Sequence, residues 1–105
     1  MKRGDIRWYR FQAPDKRRPV LVLTRDAILD HMGEVTIAPI TSRMRGLPSE
    51  VALSSADGLP RDCAINCDRL QTVSKHKLGA LIATLGRGRL DEVRAAVLFA
   101  LGFGS

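Results

Sequence analysis

The sequence predicts a mainly β (α+β) fold, a small antiparallel barrel of many short strands finished by one packed helix. Three observations carry that expectation: short runs of β-branched and aromatic residues recur through residues 6–73, breaks containing Gly or Pro separate them, and one helical stripe occupies the C-terminus. A chain of 105 residues and 11.6 kDa has room for a single core, so one domain over 1–105 is expected.

Taken in order, Ile6-Arg7-Trp8-Tyr9-Arg10-Phe11 mixes aromatic and basic residues as a half-exposed strand does. Trp8 and Tyr9 alternate, so one belongs to the core and the other is free to stack on a base. Gln12 to Arg18 is a connection with Ala13-Pro14-Asp15 as its turn signal. Pro19-Val20-Leu21-Val22-Leu23-Thr24 is a continuous apolar run, a strand buried on both faces that starts at its proline. Residues 25–33 connect it, with a helical turn around Ala27 to Leu29, to the strand Val35-Thr36-Ile37-Ala38-Pro39-Ile40, where Pro39 implies an edge or a bulge. Thr41 to Pro48 reads as a mobile loop, Glu50 to Leu53 as a short strand, and Ser54 to Asp62 as a second loop. Ala64 to Cys67, Leu70 to Val73 and Leu81 to Leu85 complete the strands. Leu90, Val93, Val97 and Leu101 then fall on one helical stripe, which Gly102 stops.

Several function classes are unsupported. Cys63 and Cys67 are too few for a secreted disulfide framework or a structural zinc site, and read as small buried apolar residues. His31 and His76 stand in no recognisable hydrolase motif. Chemistry without metal or cofactor is therefore expected. No apolar run is long enough to cross a bilayer and no signal-peptide core is present, which predicts a cytoplasmic protein with no membrane partner.

The formal net charge of +6 is unevenly placed. Residues 1–25 hold Lys2, Arg3, Arg7, Arg10, Lys16, Arg17, Arg18 and Arg25 against only Asp5 and Asp15, so the whole excess lies there. One face of positive potential, suited to a phosphate backbone or an acidic partner, follows from that asymmetry. If the 19–24 and 35–40 runs pair antiparallel with Thr24 facing Val35, Arg18 faces Thr41 on the same side as Val20, Val22, Ile37 and Pro39. A cation and a hydroxyl then meet at one end of the sheet.

Arg3-Gly4-Asp5-Ile6 with Trp8, Arg18-Pro19-Val20-Leu21-Val22-Leu23, Val35 through Ser42, and Asn66-Cys67-Asp68 with Leu70-Gln71-Thr72-Val73 occur in that order. Together with Arg45-Gly46-Leu47-Pro48, Asp57-Gly58-Leu59-Pro60 and Leu78-Gly79, they make a pattern that resembles the MazF/PemK/Kid toxin family over most of the chain. The resemblance implies an SH3-like barrel of the CcdB/Kid kind and a homodimer. It also implies a metal-independent endoribonuclease that cuts single-stranded mRNA at short sequences and is silenced by a cognate MazE-like antitoxin through an acidic, apolar segment. In the implied reaction the substrate's own 2′-OH attacks phosphorus, giving a 2′,3′-cyclic phosphate and a 5′-OH, so the enzyme supplies no nucleophile.

Carried over by motif, Arg18 would grip the scissile phosphate, Thr41 would hydrogen-bond a phosphate oxygen, and Asp68 would serve as a general base. Members that use such an acid carry an arginine two positions before it, where this chain has Asn66, and that departure moves weight to Arg18 and Thr41. Lys16, Arg17, Arg43, Arg45, Gln71 and Trp8 are the candidate RNA contacts. The connection Gln12 to Arg17 is shorter than in many relatives, so no cleavage sequence carries over. The same barrel also serves CcdB-type gyrase poisons, which hydrolyse nothing, and a weakened RNA-binding paralogue is a further reading; fold alone does not separate them.

Overall fold

The computed structural model describes residues 1–11 and 16–104. The turn expected at Ala13-Pro14-Asp15 lies outside the described residues. Seven strands form one curled, antiparallel half-barrel: β1 (Asp5–Arg10), β2 (Arg17–Val22), β3 (Glu34–Thr41), β4 (Glu50–Leu53), β5 (Cys63–Asn66), β6 (Gln71–Ser74) and β7 (Leu81–Thr84). Their order is β4-β5-β3-β2-β1-β7, with β6 also on β3. Two helices complete the fold, α1 (Asp26–Leu29) and α2 (Arg87–Leu101). Among the described residues no helix is long and apolar enough to cross a membrane.

Burial on both faces of β2 builds two cores. Leu21 turns to a cluster with Ile6, Ala38, Ile40, Leu53 and Ile65, against which Val93 and Ala96 of α2 pack. Val20 and Val22 turn to the other face, where Leu29, Val35, Ile37 and Val73 close over them. All three β2 residues are fully buried, as the continuous apolar run predicts. Tyr9 packs on the second cluster with its ring edge-on to Phe11, centroids 4.9 Å apart. Trp8 lies on the opposite face of β1, which settles the alternation.

The register of β2 on β3 is the expected one: Val20 faces Pro39, Leu21 faces Ala38 and Val22 faces Ile37. Beyond β2 the side chain of Thr24 continues the ladder, its Oγ1 accepting from the Thr36 N–H at 2.8 Å. Both prolines stand elsewhere than the sequence predicts. Pro19 is the third residue of β2, opposite Trp8 and past the stretch that pairs with β3. Pro39 lies inside a central strand, in the gap where β3 leaves β6 at Ile37 and takes up β5 at Ile40. Each occupies a level where the strand has a ladder on one side only, so the missing N–H forfeits no bond.

Thr41 likewise belongs to β3 rather than to the following loop, because β5 extends the pairing to Thr41 opposite Ala64. At the C-terminus Gly102 ends α2 with φ +78°, and the Phe103 N–H closes on the Leu98 carbonyl at 2.8 Å. Leu101 does not join the buried stripe: it is 55% exposed, while Ala96 is buried and Val97 and Ala100 carry the last turns of α2 onto the core.

Candidate functional site

Extended two pairs beyond Val20–Pro39, the β2–β3 register sets Arg18 opposite Thr41, at the end of the sheet where a cavity of about 250 Å³ opens. Trp8 of β1, Arg17, Arg18 and Pro19 of β2, and Ile40, Thr41 and Ser42 at the end of β3 line it on the strand side. Leu59, Pro60 and Arg61 line it from the connection between β4 and β5, and Cys63 from the start of β5. Strand ends expose both faces of the sheet to this cavity. By alternation Arg18 and Thr41 share the face of Val20 and Ile37, while Trp8, Arg17 and Ile40 share the face of Leu21.

Three arginines and two hydroxyls therefore line one small cavity to which, among the described residues, no Asp or Glu contributes. The described ion pairs are Asp5–Arg7, Asp57–Arg89 and Arg89–Glu92, so among the described residues Arg17, Arg18 and Arg61 have no carboxylate partner. Unneutralised guanidiniums presenting forked donors suit a phosphate diester. The Thr41 Oγ1 accepts the Arg43 N–H at 3.1 Å. With an acceptor site so used, the hydroxyl proton is available to donate to an anion in the cavity. Arg17 lies over the indole of Trp8, its guanidinium carbon 4.3 Å from the ring centroid, a cation–π contact that orients both side chains.

Asp68 lies apart from this cavity. It sits on a 3-10 turn, Cys67–Arg69, where its Oδ2 accepts the Ser49 hydroxyl at 2.5 Å. Ser49 is only 2% exposed and its carbonyl accepts the Cys67 N–H, so Asp68 ties the end of the 42–49 segment to the β5–β6 connection. Asn66 has a local explanation as well: its Oδ1 caps the Asp68 N–H at 3.0 Å, a short-range turn bond that an arginine could not make.

Of the other predicted contacts, Arg17 and Trp8 reach the cavity and Lys16, Arg43, Arg45 and Gln71 do not line it. Lys16 is exposed just before β2, and Gln71 is exposed on β6 opposite Ile37. Arg43 and Arg45 are exposed in the segment after Thr41, where the Arg45 and Gly46 N–H groups both donate to Glu50 Oε1 at 3.0 Å. Ser42, Pro60 and Arg61 were not expected. Arg61 follows the Gly58-Leu59-Pro60 turn, a signal overlooked because the charge excess sits in the first quarter of the chain.

Burial pushes the Cys67 thiol up to about 11, with the Asp68 charge adding to the effect. Burial, then Asp57 and Asp62, raise Cys63 as well. Both thiols stay protonated near neutral pH and are poor nucleophiles. His31 and His76 are exposed and line no part of the cavity. Among the described residues, no three His, Cys, Asp or Glu side chains are grouped to hold a metal ion. A larger groove of about 740 Å³ lies at the opposite end of β2 and β3, between α1, β6 and α2. Apolar residues such as Leu23, Val35, Val93 and Val97 line it together with Arg3, Arg25 and Arg94 and the carboxylates of Glu34 and Asp91, so unlike the smaller cavity it carries both signs of charge.

Known proteins resemble the chain in both sequence and fold. The family model described as PemK-like, MazF-like toxin of type II toxin-antitoxin system matches residues 2–101. Endoribonuclease MazF3 of Mycobacterium tuberculosis is 44% identical over 71 residues, which are 68% of this chain and 69% of that protein. The Mycobacterium tuberculosis toxin MazF-mt6 superposes with a TM-score of 0.88 at 33% identity, covering 96% of this chain and 99% of that one. The MazE-MazF structure from Deinococcus radiodurans gives 0.82 at 29% identity, covering 99% and 98%.

Proposed function

This chain belongs to the PemK-like, MazF-like toxins of type II toxin–antitoxin systems, and on that premise we propose that it is an endoribonuclease cutting single-stranded RNA. The observation that carries the reading is the cavity that Arg17, Arg18, Arg61, Thr41 and Ser42 line with, among the described residues, no carboxylate. A relative named as an endoribonuclease supports this reading over gyrase poisoning.

In the proposed reaction the ribose 2′-oxygen bonds to phosphorus as the bond to the 5′-oxygen breaks. The 2′-hydroxyl gives up its proton and the departing 5′-oxygen gains one, leaving a 2′,3′-cyclic phosphate and a 5′-OH. Arg18 holds the non-bridging oxygens and stabilises the charge that builds on them, and the Thr41 hydroxyl donates to the same phosphate. Arg18 acts through its fixed positive charge and forked donors, so its role is electrostatic. Asp68, held to Ser49, acts on the frame of the site rather than on the reacting atoms. Trp8 offers a stacking surface for a base beside the cut.

The proposed setting is the cytoplasm, and the proposed working unit is a homodimer. Phe99, Leu101 and Phe103 leave apolar surface at the end of α2 for such a contact. A cognate antitoxin with an acidic, apolar segment would compete with RNA for the arginine cavity. RNA ends mapped after brief expression of the wild type and of Arg18→Ala test the activity. New ends that depend on Arg18 support it; no new ends, together with a block of DNA supercoiling, would overturn it.

A further inference from the structure

Arg61 reaches the cavity on a loop that is unusually well fastened. Asp57 and Ser54 cap each other's backbone, with the Ser54 N–H donating to Asp57 Oδ2 at 3.0 Å and the Ala56 N–H donating to Ser54 Oγ at 3.2 Å. Both carboxylate oxygens of Asp57 are also taken in a fork by Arg89 of α2, Nε to Oδ1 at 3.0 Å and Nη2 to Oδ2 at 3.1 Å. Glu92 holds the remaining nitrogen of Arg89. Gly58 turns the chain at φ +92°, where an added Cβ would come within 3.0 Å of Ala83, and Leu59 is sealed in the core.

That fastening has an electrostatic consequence. Asp57 is held by Arg89, and among the described residues no ion pair engages Arg61 at the cavity wall. A nucleic acid strand carries one phosphate per nucleotide, so a cavity holding one ester on Arg18 has a second within reach of the facing wall. We infer that Arg61 is an RNA-contacting residue that takes a phosphate next to the scissile one, and that the Asp57–Arg89 fork is the positioning device that holds it there. The inference rests on the proposed ribonuclease reading.

Binding of a labelled, mixed-sequence 2′-O-methyl RNA, which lacks the attacking hydroxyl, separates the two. Affinity is measured across a salt series for the wild type, Arg61→Ala, Arg61→Lys, Arg89→Lys, Arg89→Ala and the Arg61→Ala/Arg89→Ala pair, with a thermal melt of each. Losing one phosphate contact should weaken Arg61→Ala about tenfold and lower the slope of log affinity against log salt by about one, while Arg61→Lys keeps the slope. Arg89→Ala should move the same way, and the double variant should be no weaker than Arg61→Ala, since both act through one contact. Arg89→Lys, which keeps the charge but not the fork, should fall between the wild type and Arg89→Ala. On cleavable RNA, Arg61→Ala should raise KM and leave kcat within about twofold.

Unchanged affinity and slope in Arg61→Ala would overturn the contact. An Arg89→Ala protein that melts lower yet binds RNA like the wild type would overturn the positioning role. Wild-type protein that binds the probe but cuts no RNA defeats the ribonuclease reading and leaves Arg61 judged on binding alone. Wild-type protein that does not bind defeats both.

Discussion

Val20 faces Pro39 across β2 and β3, at one of the two levels of β3, Ala38 and Pro39, where neither β6 nor β5 is paired on its other side. That relationship fixes the site. It lets a proline stand in a central strand without an orphaned ladder position, and it sets the register that, extended two pairs, brings Arg18 opposite Thr41. A slip by one residue would send Arg18 to the other face and bury Leu21 in the wrong core.

The Thr41 hydroxyl should matter for turnover rather than for folding. Thr41→Val keeps the shape and removes the donor, and single-turnover cleavage should fall by ~10²–10³, the usual loss for one transition-state donor. Thr41→Ser should stay within about tenfold of the wild type. Equal losses in both would place the effect in packing.

Trp8 is the only tryptophan, so its fluorescence reports the cavity directly. A base stacking on its ring must share or displace the Arg17 contact 4.3 Å away. Titration with single-stranded RNA should shift and quench the emission. Trp8→Ala should weaken binding by ~1–3 kcal/mol and Trp8→Phe by less. An emission spectrum indifferent to saturating RNA would remove Trp8 from the binding surface.

Asp68→Asn should destabilise the fold more than the chemistry. The Ser49 hydroxyl loses a charged acceptor, a change of ~1–3 kcal/mol in unfolding free energy by denaturant melts, while kcat stays within about tenfold. A loss of kcat as deep as that of Arg18→Ala, with an unchanged melt, would restore Asp68 as a proton acceptor.

The Asp57–Arg89 fork should appear in acid. Its hydrogen bonds from the Arg89 guanidinium hold the Asp57 carboxyl below its ordinary value of 3.8. A carboxylate depressed in the folded state stabilises the fold above its unfolded pKa, and that stabilisation is lost as pH falls through the lower folded value. The difference in melting temperature between the wild type and Arg89→Leu should therefore be full at pH 6 and shrink as pH drops below about 4. A difference that stays constant with pH would assign the fork's effect to packing.

The sequence makes legible whatever depends on near neighbours. The apolar run through Val20, Leu21 and Val22 announces a strand buried twice over, and Gly102 announces the end of α2. The β2–β3 register was an assumption in the sequence, since a slip of two residues would keep the same faces covered, and the pairing Val20–Pro39 bears it out. Contacts that need the whole sheet were not legible. Nothing local places Pro39 at a change of partner, lets β5 extend β3 through Thr41, or leaves Leu101 exposed. Arg61 is the clearest case: its place at the cavity depends on Arg89, far along the chain, gripping Asp57. Asn66 reads as a lost arginine until its cap on Asp68 is seen.

The most direct measurement is the chemistry of the RNA ends made in EDTA. Purified protein and long single-stranded RNA, with all divalent metal chelated, should yield fragments whose 3′ ends carry a 2′,3′-cyclic phosphate by mass and whose 5′ ends are free hydroxyls. Arg18→Ala should yield none, and a single 2′-deoxy sugar at the cut should abolish that cut. Fragments ending in a 3′-hydroxyl and a 5′-phosphate, or cleavage that stops when metal is removed, would contradict the account.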